Sequence, residues 1–306
     1  MTIRRTLRFL PVLTWALLLC GPQGAAADAP VFRLGVVNER SEQPDLALQQ
    51  YGSLVAYLAD VLGRKGIAVS RLVIAHDVPD MLRRVAGGEV DAVIEGVFPT
   101  LWIAQRTHAL DPALLAWRKG QREYRSVFFV RKDSPLRSLD DLRGRLLALE
   151  APRSTSAFAL PLATLQLHGL RATPEGGEAG HGAAVRYVLA GSEANQGYWV
   201  LRGRADAGAF NDGDWQRLPD QVRAELRIVH TTAPLLRWLV SFRKGLAPDV
   251  RRAVQAAMVD MHRSEPGRAA LRQAERTARF EPLTPADGAS LARWQPVLSQ
   301  VSFATP

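Results

Sequence analysis

Two stretches of the chain answer each other. VAGGEVDAVIEG (85–96) and VLRGRADAGAFN (200–211) each leave a helix through glycine, enter a short apolar strand carrying one aspartate, Asp91 or Asp206, and run out into a polar loop. The surroundings repeat too. In the first half FRLGVV (32–37) reads as a strand, and Tyr51, Leu54, Val55, Leu58 and Leu62 recur at helical spacing before Gly63. RLVIA (71–75) is a second strand, and DVPDMLRRVAGG (77–88) a helix with Asp77 as N-cap and Pro79 in its first turn. In the second half LLALEAP and YVLAG read as strands, with STSAFALPLATLQLHG and SEANQGYWVLRG as the helices between. Strands alternating with helices argue for α/β layers built on largely parallel sheets, here in two related lobes.

A second echo says how the lobes connect. YRSVFFVRKDSPLRSLDDL (124–142) and RWLVSFRKGLAPDVRRAV (237–254) both pass from an apolar strand through Arg-Lys into a turn and a helix. If both cross between lobes, lobe one is 28–125 plus 240–306 and lobe two is 126–239. Two linking strands make a hinge. The Gly-rich stretch 172–182 lacks periodicity and reads as a surface excursion of lobe two.

The first 27 residues stand outside this plan. Arg4, Arg5 and Arg8 precede an apolar run of signal-peptide length, and Ala25 to Ala27 offer a cleavage site, so export with removal of 1–27 is expected, into the periplasm. Cys20 occupies the place of a lipoprotein acceptor, but Leu19 before it is bulky where that signal wants a small residue, which argues against anchoring. Cys20 is the single cysteine, so the mature chain has neither disulfides nor thiolate chemistry. Losing the three leader arginines takes the formal charge from +9 to +6. That excess is spread out, apart from WRKGQREYR (117–125), and lacks the basic patch with stacking aromatics that a nucleic-acid reader needs, so no nucleic-acid partner is expected.

In open α/β sheets ligands bind beyond the carboxyl ends of the strands. The loops there are NERS (38–41), EGVFPT (95–100), EAPRSTS (150–156), GSEAN (191–195) and NDGD (211–214). Ser154, Thr155 and Ser156 open a helix directly after a strand. One hydroxyl suffices to cap it, and the other two, with the free first-turn amides, can converge on an anion. Glu95 follows a strand at the same end; it reads either as a ligand contact or as a partner of a basic neighbour such as Arg40. Tyr51 lies on an apolar stripe that fits core or cleft. Asn211, Asp212 and Asp214 read first as turn formers and only second as metal ligands, so neither a metal nor a cofactor is expected. Trp102, Trp117, Trp199 and Trp215 fit core or cleft alike. For an enzyme, Ser241-Phe242-Arg243-Lys244 matches S-x-x-K, but its serine falls on a strand and the companion K-T-G is absent. The histidines show no metal-ligand spacing.

FRLGVVNERS, QQYGSLVAYLAD, GGEVDAVIEG, the run YRSVFFVRKDSPLRSLDDLRG, the STS turn followed by Pro161, and LAGSEA through GRADAGAFND occur in the order that resembles the phosphate/phosphite/phosphonate class of ABC-transporter substrate-binding proteins, over about residues 32 to 265. The resemblance implies a two-lobe type II periplasmic binding fold with two hinge strands. It implies a small oxyanion (phosphonate, phosphite or phosphate) held at the STS helix start, with Tyr51, Ser154, Thr155, Ser156 and Glu193 in the site, together with Asn211 and Asp212. The expected partner is an ABC permease, the alternative a sensor kinase that reads the bound state, the chain a monomer, and its action binding without chemistry. Three loops depart from the family pattern: Gly191-Ser192-Glu193 lacks its histidine, Gly96-Val97-Phe98-Pro99-Thr100 lacks its tyrosine, and Gly213 stands where an aspartate is usual.

Overall fold

The computed structural model describes residues 29–38, 43, 45–152, 154–176 and 184–298. The leader, Cys20 and Arg40 lie outside the described residues, and among the described ones no helix is long and apolar enough to cross a membrane.

Two six-stranded sheets carry the chain. The first runs in the order Phe280–Pro282, Leu110–Ala116, Trp238–Arg243, Ala92–Gly96, Leu34–Val37, Val73–Ala75. The second runs Ala172–Pro174, Val185–Leu189, Leu146–Leu149, Ala207–Asn211, Ser126–Arg131, Leu226–Thr231. Their centres follow one plan. Ala92–Gly96 lies parallel to Leu34–Val37 and antiparallel to Trp238–Arg243; Ala207–Asn211 lies parallel to Leu146–Leu149 and antiparallel to Ser126–Arg131. Each central antiparallel strand is the one the chain forms on arriving from the other lobe, just after the segment Glu123–Tyr124 or Leu235–Leu236.

The two aspartates of the repeated phrase do the same job in both sheets. The Asp91 carboxylate accepts from the Arg33 amide (3.0 Å), at the start of the neighbouring parallel strand, and the Asp206 carboxylate accepts from the Leu146 amide (2.8 Å). Each fixes the register of a parallel pair at its N-terminal end. Asp91 is also gripped by the Arg33 and Arg243 side chains at 2.9 and 2.6 Å while almost wholly buried. Burial alone would raise its pKa, but hydrogen bonds and charge from the two guanidiniums bring it below the ordinary carboxylate value.

Alternation along the strands loads both faces of the first sheet. Leu34, Val36, Ile94, Leu114 and Val240 pack under the helices Leu46–Gly63, Pro248–Asp260 and Glu265–Gln273. Val93, Leu115 and Leu239 point to the other face, in a core that continues through Phe98, Tyr124 and Trp294 to Phe128 and Leu147 of the second sheet.

Between the sheets, Glu123–Tyr124 pairs antiparallel with Leu235–Leu236. This two-stranded ribbon is the hinge. Because Trp238–Arg243 lies wholly in the first sheet, the return crossing is complete by Trp238, slightly before the position 240 expected from sequence.

Three local expectations need correcting. The loop foreseen after Gly96 is the helix Val97–Thr107; Pro99 sits in its first turn, where a missing N–H costs nothing. The turn foreseen at 211–214 opens a short helix, Asp212–Arg217, capped by Asn211. Ala172–Pro174, read as surface excursion, is the edge strand of the second sheet, where a proline is tolerated; residues 177–182 of that stretch lie outside the described ones.

Candidate functional site

A cavity of about 280 Å³ lies between the lobes at the hinge. Val37, Val78, Glu95, Pro99 and Trp238 line it from the first lobe, Glu150, Ser154, Thr155, Ser156, Glu193, Asn211, Asp214 and Arg217 from the second, and Arg118, Lys119, Tyr124 and Arg237 from the crossing segments.

Its sharpest feature is the helix start after Leu146–Leu149. Ser154 caps it, its hydroxyl accepting from the Ala157 amide (3.1 Å). The first turn, Thr155–Ala159, is a wide π-helical one before the α-helix Leu160–Leu167. Pro161 explains the widening: a regular turn would have residue 161 donate to the Ala157 carbonyl, proline has no N–H, and the Glu150 amide takes that carbonyl instead (2.9 Å). The strand end thus grips the helix start. A wide first turn leaves more amide hydrogens without intrahelical acceptors, a geometry frequent at functional sites.

Burial raises the pKa of the Tyr124 hydroxyl, and the Thr155 side chain nearby offsets part of that rise. The Ser126 hydroxyl donates to the Ser156 carbonyl (2.6 Å), and the Asn211 amide group reaches the Ser156 hydroxyl at 3.5 Å. Asn211 also caps its own helix by accepting from the Asp214 amide (2.9 Å).

Across the gap stands Gly96. A Cβ built there would lie 3.0 Å from Thr155 Oγ1, 3.7 Å from the indole nitrogen of Trp238 and 3.8 Å from Pro99 Cδ. The lobes therefore touch at this point, and glycine is what lets the Thr155 hydroxyl come so close. Glu95 is buried behind it and turns inward, one carboxylate oxygen accepting from the Gly96 amide (2.6 Å).

Charge is partitioned over the walls. Glu193 begins a helix capped by Ser192; the buried Gln196 fixes that helix by donating to the Ala148 and Ala209 carbonyls at 2.9 and 2.8 Å. Burial raises the Glu193 pKa and the nearby Asp214 raises it further, against the pull of Lys119 and Arg217. Asp214 is ion-paired with Arg217. On the hinge side Arg118 stacks over the Trp238 ring (4.0 Å) and pairs with Glu275 (2.8 Å), while Arg237 lies over the Tyr124 ring (4.8 Å).

Of the residues named from sequence, Glu95, Ser154, Thr155, Ser156, Glu193 and Asn211 meet at this cavity. Tyr51 does not: it shares the stripe of Leu54, Leu58 and Leu62 that seats its helix on the first sheet, and is buried in that core. Asp212 also misses the lining; it accepts from the Gly213 amide (2.9 Å), and Asp214, two residues on, takes the wall. Trp102, Trp117 and Trp199 are covered by Arg106, Arg279 and Arg204, and Trp215 packs on Phe129. The tryptophan that faces the cavity is Trp238. Ser241 of the S-x-x-K match is fully buried within its strand. Among the described residues no group of histidines, cysteines and acids could hold a metal ion. Sequence reasoning missed Arg118, Lys119, Tyr124, Arg237 and Trp238. Their signal was the basic cluster 117–125, whose relation to 237–238 only the hinge pairing reveals.

Two α/β lobes, joined by a pair of crossing segments and closed over a polar cavity at the strand ends, define a type II periplasmic binding protein. The chain belongs to the family described as ABC transporter, phosphonate, periplasmic substrate-binding protein, whose family model matches residues 40–287. Among solved structures it is similar to XAC2383 from Xanthomonas citri, seen bound to chloride ion and bound to ATP. The ATP form is 28% identical with a TM-score of 0.78, over 89% of this chain and 98% of that one. It shares its fold with PhnD1 from Prochlorococcus marinus in complex with methylphosphonate (16% identity, TM-score 0.63, 89% and 100% coverage). It also shares it with a binding protein component of an ABC phosphonate transporter from Pseudomonas aeruginosa (16% identity, TM-score 0.60, 90% and 88% coverage). Members of this family are periplasmic substrate-binding components of ABC importers.

Proposed function

We propose that this protein captures a small oxyanion (phosphonate, phosphite or phosphate) at the helix start Ser154–Ser156, between its two lobes, and presents it to an ABC permease after export and removal of residues 1–27. The observation that carries this reading is the meeting of Thr155 with Gly96: the tip of a second-lobe helix is directed into the gap and is covered by the first lobe.

Magnitudes support it. A micromolar complex needs roughly 8 kcal/mol net. A helix terminus contributes about 0.3 to 2, and each hydrogen bond to a charged group about 1.5 to 3. Three to five such bonds suffice. The Thr155 and Ser156 hydroxyls, the first-turn amides, the Tyr124 hydroxyl and the Trp238 indole N–H supply that number of donors at one place. A ligand that touches both lobes favours the form in which they meet, so binding and closure are one equilibrium. The protein performs no chemistry on the ligand in this reading.

The relative bound to ATP favours a second ligand class, a phosphoryl group carried by a larger molecule. A thermal-shift panel separates the two, because a ligand that binds only the folded form raises its melting temperature. Methylphosphonate, aminoethylphosphonate, phosphite, phosphate, methanesulfonate and ATP form the panel. A rise with one or more of the small phosphorus oxyanions is the expected result. No shift with any of them would remove the proposal, and a shift with ATP alone would replace it by the second reading.

A further inference from the structure

The hinge side of the cavity holds charge that the protein leaves unanswered. Arg237 is 4% exposed and lines the cavity, yet among the described residues no carboxylate comes within ion-pair distance of it. Its Nε donates to the Arg118 carbonyl (3.4 Å) and its guanidinium lies on the Tyr124 ring. Lys119, on the other crossing segment, is half-buried, lines the same cavity, and is held in a left-handed backbone conformation (φ 54°) that a β-carbon disfavours. Its turn is fixed by its own amide donating to the Glu275 carbonyl (3.3 Å) and by the Arg118–Glu275 ion pair.

The groups that face these two cations are few. Both feel Asp214, but that carboxylate already pairs with Arg217 and accepts from the Asn211 side chain. Lys119 also feels Glu193. Burial, with the repulsion of neighbouring arginines, lowers the pKa of Lys119 and of Arg237, as for cations desolvated without a counter-ion in contact. A buried guanidinium is costly unless something pairs with it. Tyr124 connects the two halves: Arg237 covers its ring, and it lines the cavity together with Thr155.

We propose that Lys119 and Arg237 complete the anion site begun by the helix start at Thr155, so that the cleft selects a doubly charged tetrahedral oxyanion, a phosphonyl or phosphoryl dianion, over a singly charged one of the same shape. This rests on the reading of the cleft as an oxyanion site and adds to it the charge of the ligand. Neither residue belongs to the set that the family resemblance implies. Because they ride on the two segments that cross between the lobes, the ligand's charge acts on the hinge itself.

The test is titration calorimetry with methylphosphonate, a dianion at mildly alkaline pH, and methanesulfonate, a monoanion of similar shape. It uses the wild type, Lys119→Asn (asparagine tolerates the left-handed backbone), Arg237→Gln and Arg237→Lys, with circular-dichroism melts confirming that each folds. Coulomb energy scales with ligand charge, so the fold-loss for the monoanion is roughly the square root of that for the dianion. The wild type should prefer methylphosphonate by about tenfold or more, each neutral variant should weaken methylphosphonate by about tenfold and methanesulfonate by about threefold, and Arg237→Lys should recover most of the loss. Equal losses for the two anions, or undiminished methylphosphonate binding in both neutral variants, overturns the inference and leaves the oxyanion site standing. A wild type that binds neither anion overturns the inference, and the oxyanion reading falls with it when phosphite and phosphate also fail to bind. If Arg237→Gln fails to fold, the partly exposed Lys119→Asn decides the question alone.

Discussion

Gly96→Ala separates what closure requires from what folding requires. Gly96 has φ −59° and ψ 160°, values that alanine adopts without strain, so the substitution leaves the lobe itself unperturbed. In the unliganded, open protein it should be neutral, or stabilising by about 0.4 to 1 kcal/mol through the less flexible unfolded chain. In the form with the lobes touching, the new methyl meets Thr155 Oγ1 at 3.0 Å, a few tenths of an ångström too close. The lobes must then part slightly, or Thr155 must turn away from both Tyr124 and the ligand. Overpacking of this kind costs about 1 to 3 kcal/mol where nothing can move. Here the gap can widen, so about 1 to 2 kcal/mol is expected, roughly five- to thirtyfold in affinity. Calorimetry on the best oxyanion from the panel, with a thermal melt of the unliganded protein, reads both quantities. Weaker binding with an unchanged or higher melting temperature is the expected result. Unchanged affinity would show that Gly96 and Thr155 do not meet in the bound form, and a parallel loss of stability would show that Gly96 serves the fold of its lobe.

Thr155→Ala removes one charge-assisted hydrogen bond and should weaken oxyanion binding by about 1 to 3 kcal/mol in the same titration; equal affinity takes Thr155 out of the site. Glu193→Gln should weaken aminoethylphosphonate and spare phosphite if the carboxylate receives an ammonium group, and equal losses for the two ligands refute that role. Asp91→Asn leaves Arg33 and Arg243 facing a neutral group in the first sheet and should destabilise the protein by about 3 to 5 kcal/mol in denaturant melts. Since the folded-state pKa of Asp91 lies below its unfolded value near 3.9, its contribution is complete above that pH and lost as pH falls through the folded value. The wild type should therefore lose stability on acidification in that range more steeply than Asp91→Asn does, and parallel pH profiles would contradict the assignment.

Much of the fold was legible because its signals are local. The repeated phrase around Asp91 and Asp206 marks equivalent strands whose aspartates hold the neighbouring strand in both sheets. The STS helix start was legible for the same reason: a strand end, hydroxyls and a helix lie within ten residues. What stayed hidden depends on contacts between distant segments. Lys119 and Arg237 become neighbours through the pairing of Glu123–Tyr124 with Leu235–Leu236, and nothing near either residue announces it. Tyr51 was ambiguous in sequence because a stripe of apolar spacing fits core and cleft equally; the packing of its helix on the first sheet decided for core. The helix after Gly96 was missed because Pro99 reads as a breaker unless it falls in the first turn, which is where it falls.

On this reading the start of one second-lobe helix holds the anion inside the closed cleft. A crystal structure of the protein grown with methylphosphonate measures it most directly. Phosphonyl oxygens are expected within about 3 Å of the Thr155 hydroxyl and the Ser156 amide, under Gly96, as hydrogen bonding requires. A phosphonate bound outside that cleft, with the Thr155 hydroxyl making no contact with it, would contradict it.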